Sequence, residues 1–132
     1  MPFRAFNLGD HLNKAVEEAG YTEPTPIQVE AIPKIMAGHD LIGIAQTGTG
    51  KTAAFVLPIL SQLFKTSGSS HARGIRWLIL APTRELVVQI EENAQIYAKY
   101  LPARIVSIRI FGRTKSIVVV IESASAYMRS SL

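Results

Sequence analysis

Cysteine is absent from the 132 residues, so neither a disulfide nor a thiolate-bound metal is available to this chain. That absence suits a reducing compartment, and a cytoplasmic location is the expectation. No apolar run approaches the ~18 residues that a membrane-spanning helix needs. The first twelve residues carry Arg4 but no apolar stretch behind it, so they do not read as a secretory signal. Aspartate is scarce: only Asp10 and Asp40 occur. Acidic residues almost vanish from the last third. Residues 93–132 hold six Lys/Arg and only Glu122, against eight Lys/Arg and nine Asp/Glu in residues 1–92. The net charge of +4 therefore lies entirely near the C-terminus. A nucleic-acid surface and an atypical tail account for it equally well.

What is present is enough for a packed domain. Hydrophobic residues make up 48% and charged ones 18%, which argues against wholesale disorder. Leu12, Ala15, Val16 and Ala19 fall at helical spacing, with Gly20 as a natural stop. Thr25-Pro26-Ile27-Gln28 is a helix start, with Pro26 at the first helical position and Gln28 at the capping-box position. That helix is predicted to reach Ala37, with Pro33 bending or shortening it. Leu41 to Ala45 reads as a buried strand, and a helix follows from about Gly50 to Phe64. Residues 66–74 read as a surface loop. Trp77 to Ala81 is a second buried strand, then a helix runs from Thr83 to about Tyr100 with Leu86, Ile90, Ala94 and Tyr97 on one stripe. Ala103 to Phe111 is a third strand. Strands alternating with helices predict an α/β fold, a parallel sheet with flanking helices. After Gly112 only the run 117–121 stands out, before a Ser-rich end.

The strongest motif is Ala45-Gln46-Thr47-Gly48-Thr49-Gly50-Lys51-Thr52, which follows a strand and opens a helix. This is the P-loop pattern in the context that it requires. Glycines let backbone N–H groups approach phosphate oxygens closely. The helix start adds unpaired N–H groups and the positive end of a dipole. Lys51 supplies a charge for the β- and γ-phosphates, and the Thr52 hydroxyl can bind Mg²⁺. The bland alternative is a Gly-rich turn before a helix. At average residue usage, roughly one chain of this length in a hundred carries the pattern by chance.

Two further segments narrow the reading. Gly20-Tyr21-Thr22-Glu23-Pro24-Thr25-Pro26-Ile27-Gln28 resembles the Q motif of DEAD-box RNA helicases, with Phe6 as its upstream aromatic. Pro82-Thr83-Arg84-Glu85-Leu86 is similar to that family's motif Ia. Order and spacing fit from residue 3 to about 112. The resemblance implies an incomplete RecA-like P-loop NTPase domain over residues 1–112, followed by a divergent tail, 113–132. It implies ATP and Mg²⁺ as cofactors and RNA as partner. Phe6 would stack on adenine, Gln28 would pair with its edge, and Tyr21 would join the same site. Pro82, Thr83, Arg84 and Glu85 would meet the RNA backbone. Several of these residues also have a structural alternative: capping for Gln28 and Thr83, with Glu85 near the helix dipole, and core packing for Phe6. Arg113 departs from the family's Gly-Gly pair at that place.

The resemblance stops after Gly112. The Asp-Glu-Ala-Asp and Ser-Ala-Thr motifs do not occur in these residues, nor does a second RecA-like domain. The acidic groups that hold Mg²⁺ and position water are thus missing, and Glu122 matches no family motif. The expectation is a truncated ATP-binding part of an RNA helicase with negligible hydrolysis by itself. A non-catalytic nucleotide binder and an inactive gene relic are the alternatives. In the family, the strands beside the P-loop strand come from later sequence, so strand 41–45 is expected to lack neighbours.

Overall fold

The computed structural model describes residues 2–46, 48–65, 76–101, 104–111 and 116–123. A 3₁₀ turn, Phe3–Phe6, leads into α1 (Asp10–Glu18), α2 (Pro26–Met36) and α3 (Lys51–Lys65). Then come β1 (Trp77–Ala81), α4 (Arg84–Tyr97), β2 (Arg104–Phe111) and β3 (Ser116–Ser123). Both early helices close as the sequence implies. At the end of α1, the Gly20 and Tyr21 N–H groups turn back to the carbonyls of Glu17 and Val16. At the end of α2, Gly38 and His39 do the same to Ile35 and Lys34. Pro33 does not shorten α2: it sits inside the helix, which continues to Met36.

The core is built around α3. Val56, Leu57, Leu60 and Leu63 are each 1% exposed, and they pack with Leu8, Leu12, Val16, Ile32 and Val87. A helix this apolar on most sides has to be interior, which explains why it carries so few charges. Ser61, also buried, donates its hydroxyl to the Leu8 carbonyl at 2.9 Å, fixing the N-terminal turn against α3. α4 presents Val87, Ile90, Ala94 and Tyr97 to the same core, close to the predicted stripe. Leu86 is only partly buried. Among the described residues no helix is long and apolar enough to cross a membrane.

The sheet has the order β1-β3-β2. β1 and β2 run in the same direction, as two strands joined through α4 are expected to. The run 117–121, however, lies between them, antiparallel to both: Leu80 pairs with Ile117 on one side, and Ile110 pairs with Ile117 on the other. The hydrogen-bonded neighbours are therefore antiparallel rather than parallel. The physical reason is local: β2 and β3 are joined by only four residues, and a connection that short permits only an antiparallel pair.

The segment Leu41–Ala45 does not form the predicted strand. Ile42 is 90% exposed and Ile44 91%, so two large apolar side chains stand in solvent. A strand needs a neighbour to satisfy its backbone groups, and none of the three strands pairs with this segment. A cavity of about 520 Å³ opens nearby, between Ile35, Leu41, Phe55 and Trp77. β1 is likewise not buried on both faces. Ala81 packs inward with partly buried Trp77 and Ile79, while Leu78 and Leu80 are 57% and 61% exposed. The predicted loop 66–74 and the residues 112–115 lie outside the described residues.

Candidate nucleotide-binding cleft

The phosphate loop leaves as α3. Gly48 and Gly50 both have positive φ, +82° and +81°. A residue with a Cβ enters that region at a cost of about 1–2 kcal/mol. At Gly50 a second constraint applies. A Cβ there would lie 2.3 Å from Gln28 Nε2 and 3.3 Å from Thr25 Oγ1. This closeness serves a hydrogen bond: Gln28 Nε2 donates to the Gly50 carbonyl at 3.2 Å. The same carbonyl accepts the first helical bond of α3 from the Ala54 N–H, at 3.2 Å. Gln28 Oε1 in turn accepts from the Thr25 N–H at 3.0 Å, the returning half of a capping box. One fully buried amide thus ties the start of α2 to the start of α3.

Lys51 and Thr52 open onto a cleft of about 600 Å³, within the usual size of small-molecule sites. Gly48, Gly50, Lys51 and Thr52 form one wall. The opposite wall is α4, through Gln89, Asn93 and Tyr97, and Tyr21 lies at the same cleft. Lys51 is exposed and Thr52 partly so. The first N–H groups of α3 have no partner within the helix and carry the positive end of its dipole. A lysine, a hydroxyl and such a helix start suit an anionic phosphate chain. Thr49 donates its hydroxyl to the Gln46 carbonyl, bracing the loop across itself. Ala45 is half-buried and Gln46 exposed, while Thr47 lies outside the described residues.

On the side that the resemblance assigns to adenine, Phe6 and Gln28 have partners within the fold. Phe6 does not line the cleft. It is buried in the core, edge to face with Phe3 at 5.8 Å between ring centres. A fully apolar ring gains more from that burial than from a wet cleft. Gln28 is 0% exposed and its amide is engaged at both ends, so its capping role is the one seen here. Tyr21 does reach the cleft, with its ring 6.4 Å from that of Tyr97. Burial, and then the hydrogen bond with Tyr21, hold the Tyr97 phenol well above its ordinary range, so it stays neutral.

Pro82, Thr83, Arg84 and Glu85 come together at the exposed N-terminus of α4. Thr83 Oγ1 accepts from the Leu86 N–H at 3.2 Å and caps the helix. Among the described residues no cluster of three or more His, Cys, Asp or Glu is placed to hold a metal. The Thr52 hydroxyl fits one ligand position of a divalent ion, whose remaining ligands would have to be phosphate oxygens and water. Glu122 lies within β3, five residues past Ile117, the register partner of the cleft residue Leu80. That separation is about 17 Å along the strand. The α4 wall was not singled out as a site from sequence, although the spacing 89, 93, 97 is a signal for one helix side.

An α/β domain with a phosphate loop at the start of a buried helix is a P-loop domain. The sequence profile of the DEAD/DEAH box helicase family matches residues 25–123. A DEAD-box ATP-dependent RNA helicase 21 from Oryza sativa subsp. japonica is 51% identical over 104 residues, covering 76% of this chain and 14% of the relative. The DEAD-box ATP-dependent RNA helicase CshA from Bacillus cereus is 44% identical over 106 residues, covering 80% of this chain and 19% of the relative. The crystal structure of the RNA-helicase Prp28 from Chaetomium thermophilum bound to ADP superposes with a TM-score of 0.68 at 44% identity, over 86% of this chain and 28% of that one. The chain belongs to the DEAD/DEAH box helicase family, and it spans a fifth or less of the length of these two curated relatives.

Proposed function

We propose that this chain is the ATP-binding part of an ATP-dependent RNA helicase that unwinds or remodels RNA. Residues 1–112 form the RecA-like part in this reading, and 113–132 form a divergent C-terminal segment. The observation that carries it is the joint placement of Gly48, Gly50, Lys51 and Thr52 on one wall of a nucleotide-sized cleft. Lys51 neutralises charge on the β- and γ-phosphates, while the backbone N–H groups of the loop and of the first turn of α3 cradle them. The Thr52 hydroxyl, together with phosphate oxygens, would hold Mg²⁺, which would supply further charge neutralisation. Pro82, Thr83, Arg84 and Glu85 contact the RNA backbone at a helix N-terminus, which is suited to phosphate. A cytoplasmic location accompanies this reading, in keeping with the lack of cysteine.

A second reading concerns turnover. The two aspartates, Asp10 and Asp40, both precede the phosphate loop, and the described residues offer no acidic cluster. Charge stabilisation and water positioning provide most of the rate in phosphoryl transfer. The 132 residues alone are therefore a nucleotide holder rather than a hydrolase. Calorimetric titration with Mg-ATP, a Lys51→Ala control and a phosphate-release assay on the same sample test both readings. Binding that vanishes in the control, without phosphate release, supports them. Robust release sinks the second, and an absence of binding sinks the first.

A further inference from the structure

We infer that the free edge of β1 is a self-association surface: two copies of this chain pair their β1 strands antiparallel, about a two-fold axis at Ile79, into one continuous sheet. The order β1-β3-β2 leaves one side of β1 unpaired among the described residues. Such an edge offers a row of unmet N–H and C=O groups, which proteins usually blunt with charge, proline or a bulge. Trp77–Ala81 (WLILA) carries no charge and no proline, and its register with β3 runs without a bulge. The other outer strand, β2, carries Arg104 and Arg109. One outer strand is thus charged and the other is not. Strand addition through β1 alone uses the same patch on both copies, so it closes at a dimer.

The strand itself sets the register. Two identical antiparallel strands place their two-fold axis on one residue, and only Ile79 gives all of Trp77–Ala81 a partner. Leu78 then faces the partner's Leu80, and Trp77 faces the partner's Ala81. Side chains alternate across a strand. Leu78 and Leu80 stand on the open face, 57% and 61% exposed, while Trp77, Ile79 and Ala81 turn toward the core. Pairing therefore gathers two leucines from each copy into one apolar patch of direct cross-strand neighbours. Covering these half-exposed leucines removes roughly 250 Å² of apolar surface from water. Leu41 and Gly43 line the same cavity as Trp77, so the segment bearing the exposed Ile42 and Ile44 lies near the start of β1 and enlarges the apolar surface there. The contact remains small beside the ~1,200–2,000 Å² of stable complexes, so the dimer is weak and concentration-dependent.

Two measurements on the 132-residue chain test this. Sedimentation velocity over a series of micromolar concentrations should show a monomer passing to a dimer and no further. Leu78→Lys should weaken dimerisation about tenfold or more, because it charges the edge and removes a leucine from each side of the patch. Leu78 is exposed, so its replacement should leave the fold intact. Disulfide trapping reads the register, and the chain has no cysteine to give a background. Leu78→Cys and Leu80→Cys are oxidised separately and as an equal mixture. Residues directly opposite each other have Cα atoms about 4.5–5.5 Å apart, within disulfide reach. Leu78 and the partner's Leu78 are diagonal neighbours, about 7–8 Å apart. The mixture should therefore cross-link about tenfold faster than either single variant. A wild-type chain that stays monomeric, or that grows past a dimer, overturns the inference. Equal cross-linking in single and mixed samples overturns it too, as does a Leu78→Lys chain that associates like wild type. Should Leu78→Lys unfold, the trapping result decides alone.

Discussion

Gly50→Ala tests whether the Q-motif helix is physically tied to the phosphate loop. Two costs act at that position. The first is backbone strain: φ is +81°, and a residue with a Cβ in that region costs about 1–2 kcal/mol. The second is the contact. The new Cβ would sit 2.3 Å from Gln28 Nε2. The Gln28 amide can move aside only by giving up its bond to the Gly50 carbonyl, and it is fully buried. A buried polar group left without its partner costs about 1–3 kcal/mol. The sum is about 2–5 kcal/mol, a large share of the ~5–15 kcal/mol that stabilises an ordinary domain. Gly48 provides the control. Its φ is nearly the same, +82°, but nothing lies within 4 Å of its would-be Cβ. Gly48→Ala should therefore show the strain alone, about 1–2 kcal/mol. Urea unfolding followed by circular dichroism, extrapolated linearly to water, measures both. In a Gln28→Ala background the penalty of Gly50→Ala should shrink toward that of Gly48→Ala, because the contact is already gone. Equal destabilisation by the two glycine changes in the wild-type background would refute the tie.

Three other outcomes follow from the structure. Ile42→Thr and Ile44→Thr should change stability by under ~0.5 kcal/mol while lowering self-association in sedimentation velocity, since both side chains are about nine-tenths exposed; a loss of several times that amount means the segment is packed in solution. Thr83→Ala removes the cap on α4 and should cost about 1 kcal/mol in urea unfolding, with Thr83→Ser restoring it; an unchanged midpoint excludes the capping role. Hydrogen bonds from Lys99, and then Tyr100, hold the Glu18 carboxyl below its ordinary 4.5. Its contribution to stability is thus fully present above about pH 4.5 and disappears as pH falls through the lowered value. Glu18→Gln should flatten the acid limb of a plot of Tm against pH, and an unaltered limb would sink the assignment.

The legible parts of the fold were those encoded by short spacings. The ends of α1 and α2, the opening of α2 at Pro26 and the run of α3 all follow from residues within one or two turns of each other. The phosphate loop belongs to the same class, since its glycines and Lys51 are neighbours in sequence. Strand pairing is different in kind. Leu41–Ala45 looks like a buried strand because an apolar run bounded by turn signals carries no record of which partner it needs. Leu78 and Leu80 misled in the same way: their apolar character predicts burial, but both lie on the exposed face of β1. That 117–121 would take the place between β1 and β2 is not written in the run itself. The short connection to β2 explains only its antiparallel pairing with that strand, and it lies far from the loop that the motif reading concentrates on. The α4 wall was partly legible, because Tyr97 was on the predicted stripe, but its role in a cleft needed the α3–α4 packing.

Gln28 is where the local and the long-range readings compete for a single amide. Its carbonyl already serves the Thr25 N–H, and its N–H serves the Gly50 carbonyl. To meet a base through the same edge, the side chain has to leave the core and release the phosphate loop. A base held by Gln28 and a loop braced by Gln28 are thus alternatives, linked through one hydrogen bond to Gly50. If the base is held by other groups instead, no such exchange is required, and the brace persists while nucleotide is bound. The two arrangements separate in one experiment. With ATP saturating, a base held by other groups leaves the extra penalty of Gly50→Ala over Gly48→Ala intact, because the Gln28 contact still exists. A base held by Gln28 removes that extra penalty, because ligand has already drawn the amide away from Gly50.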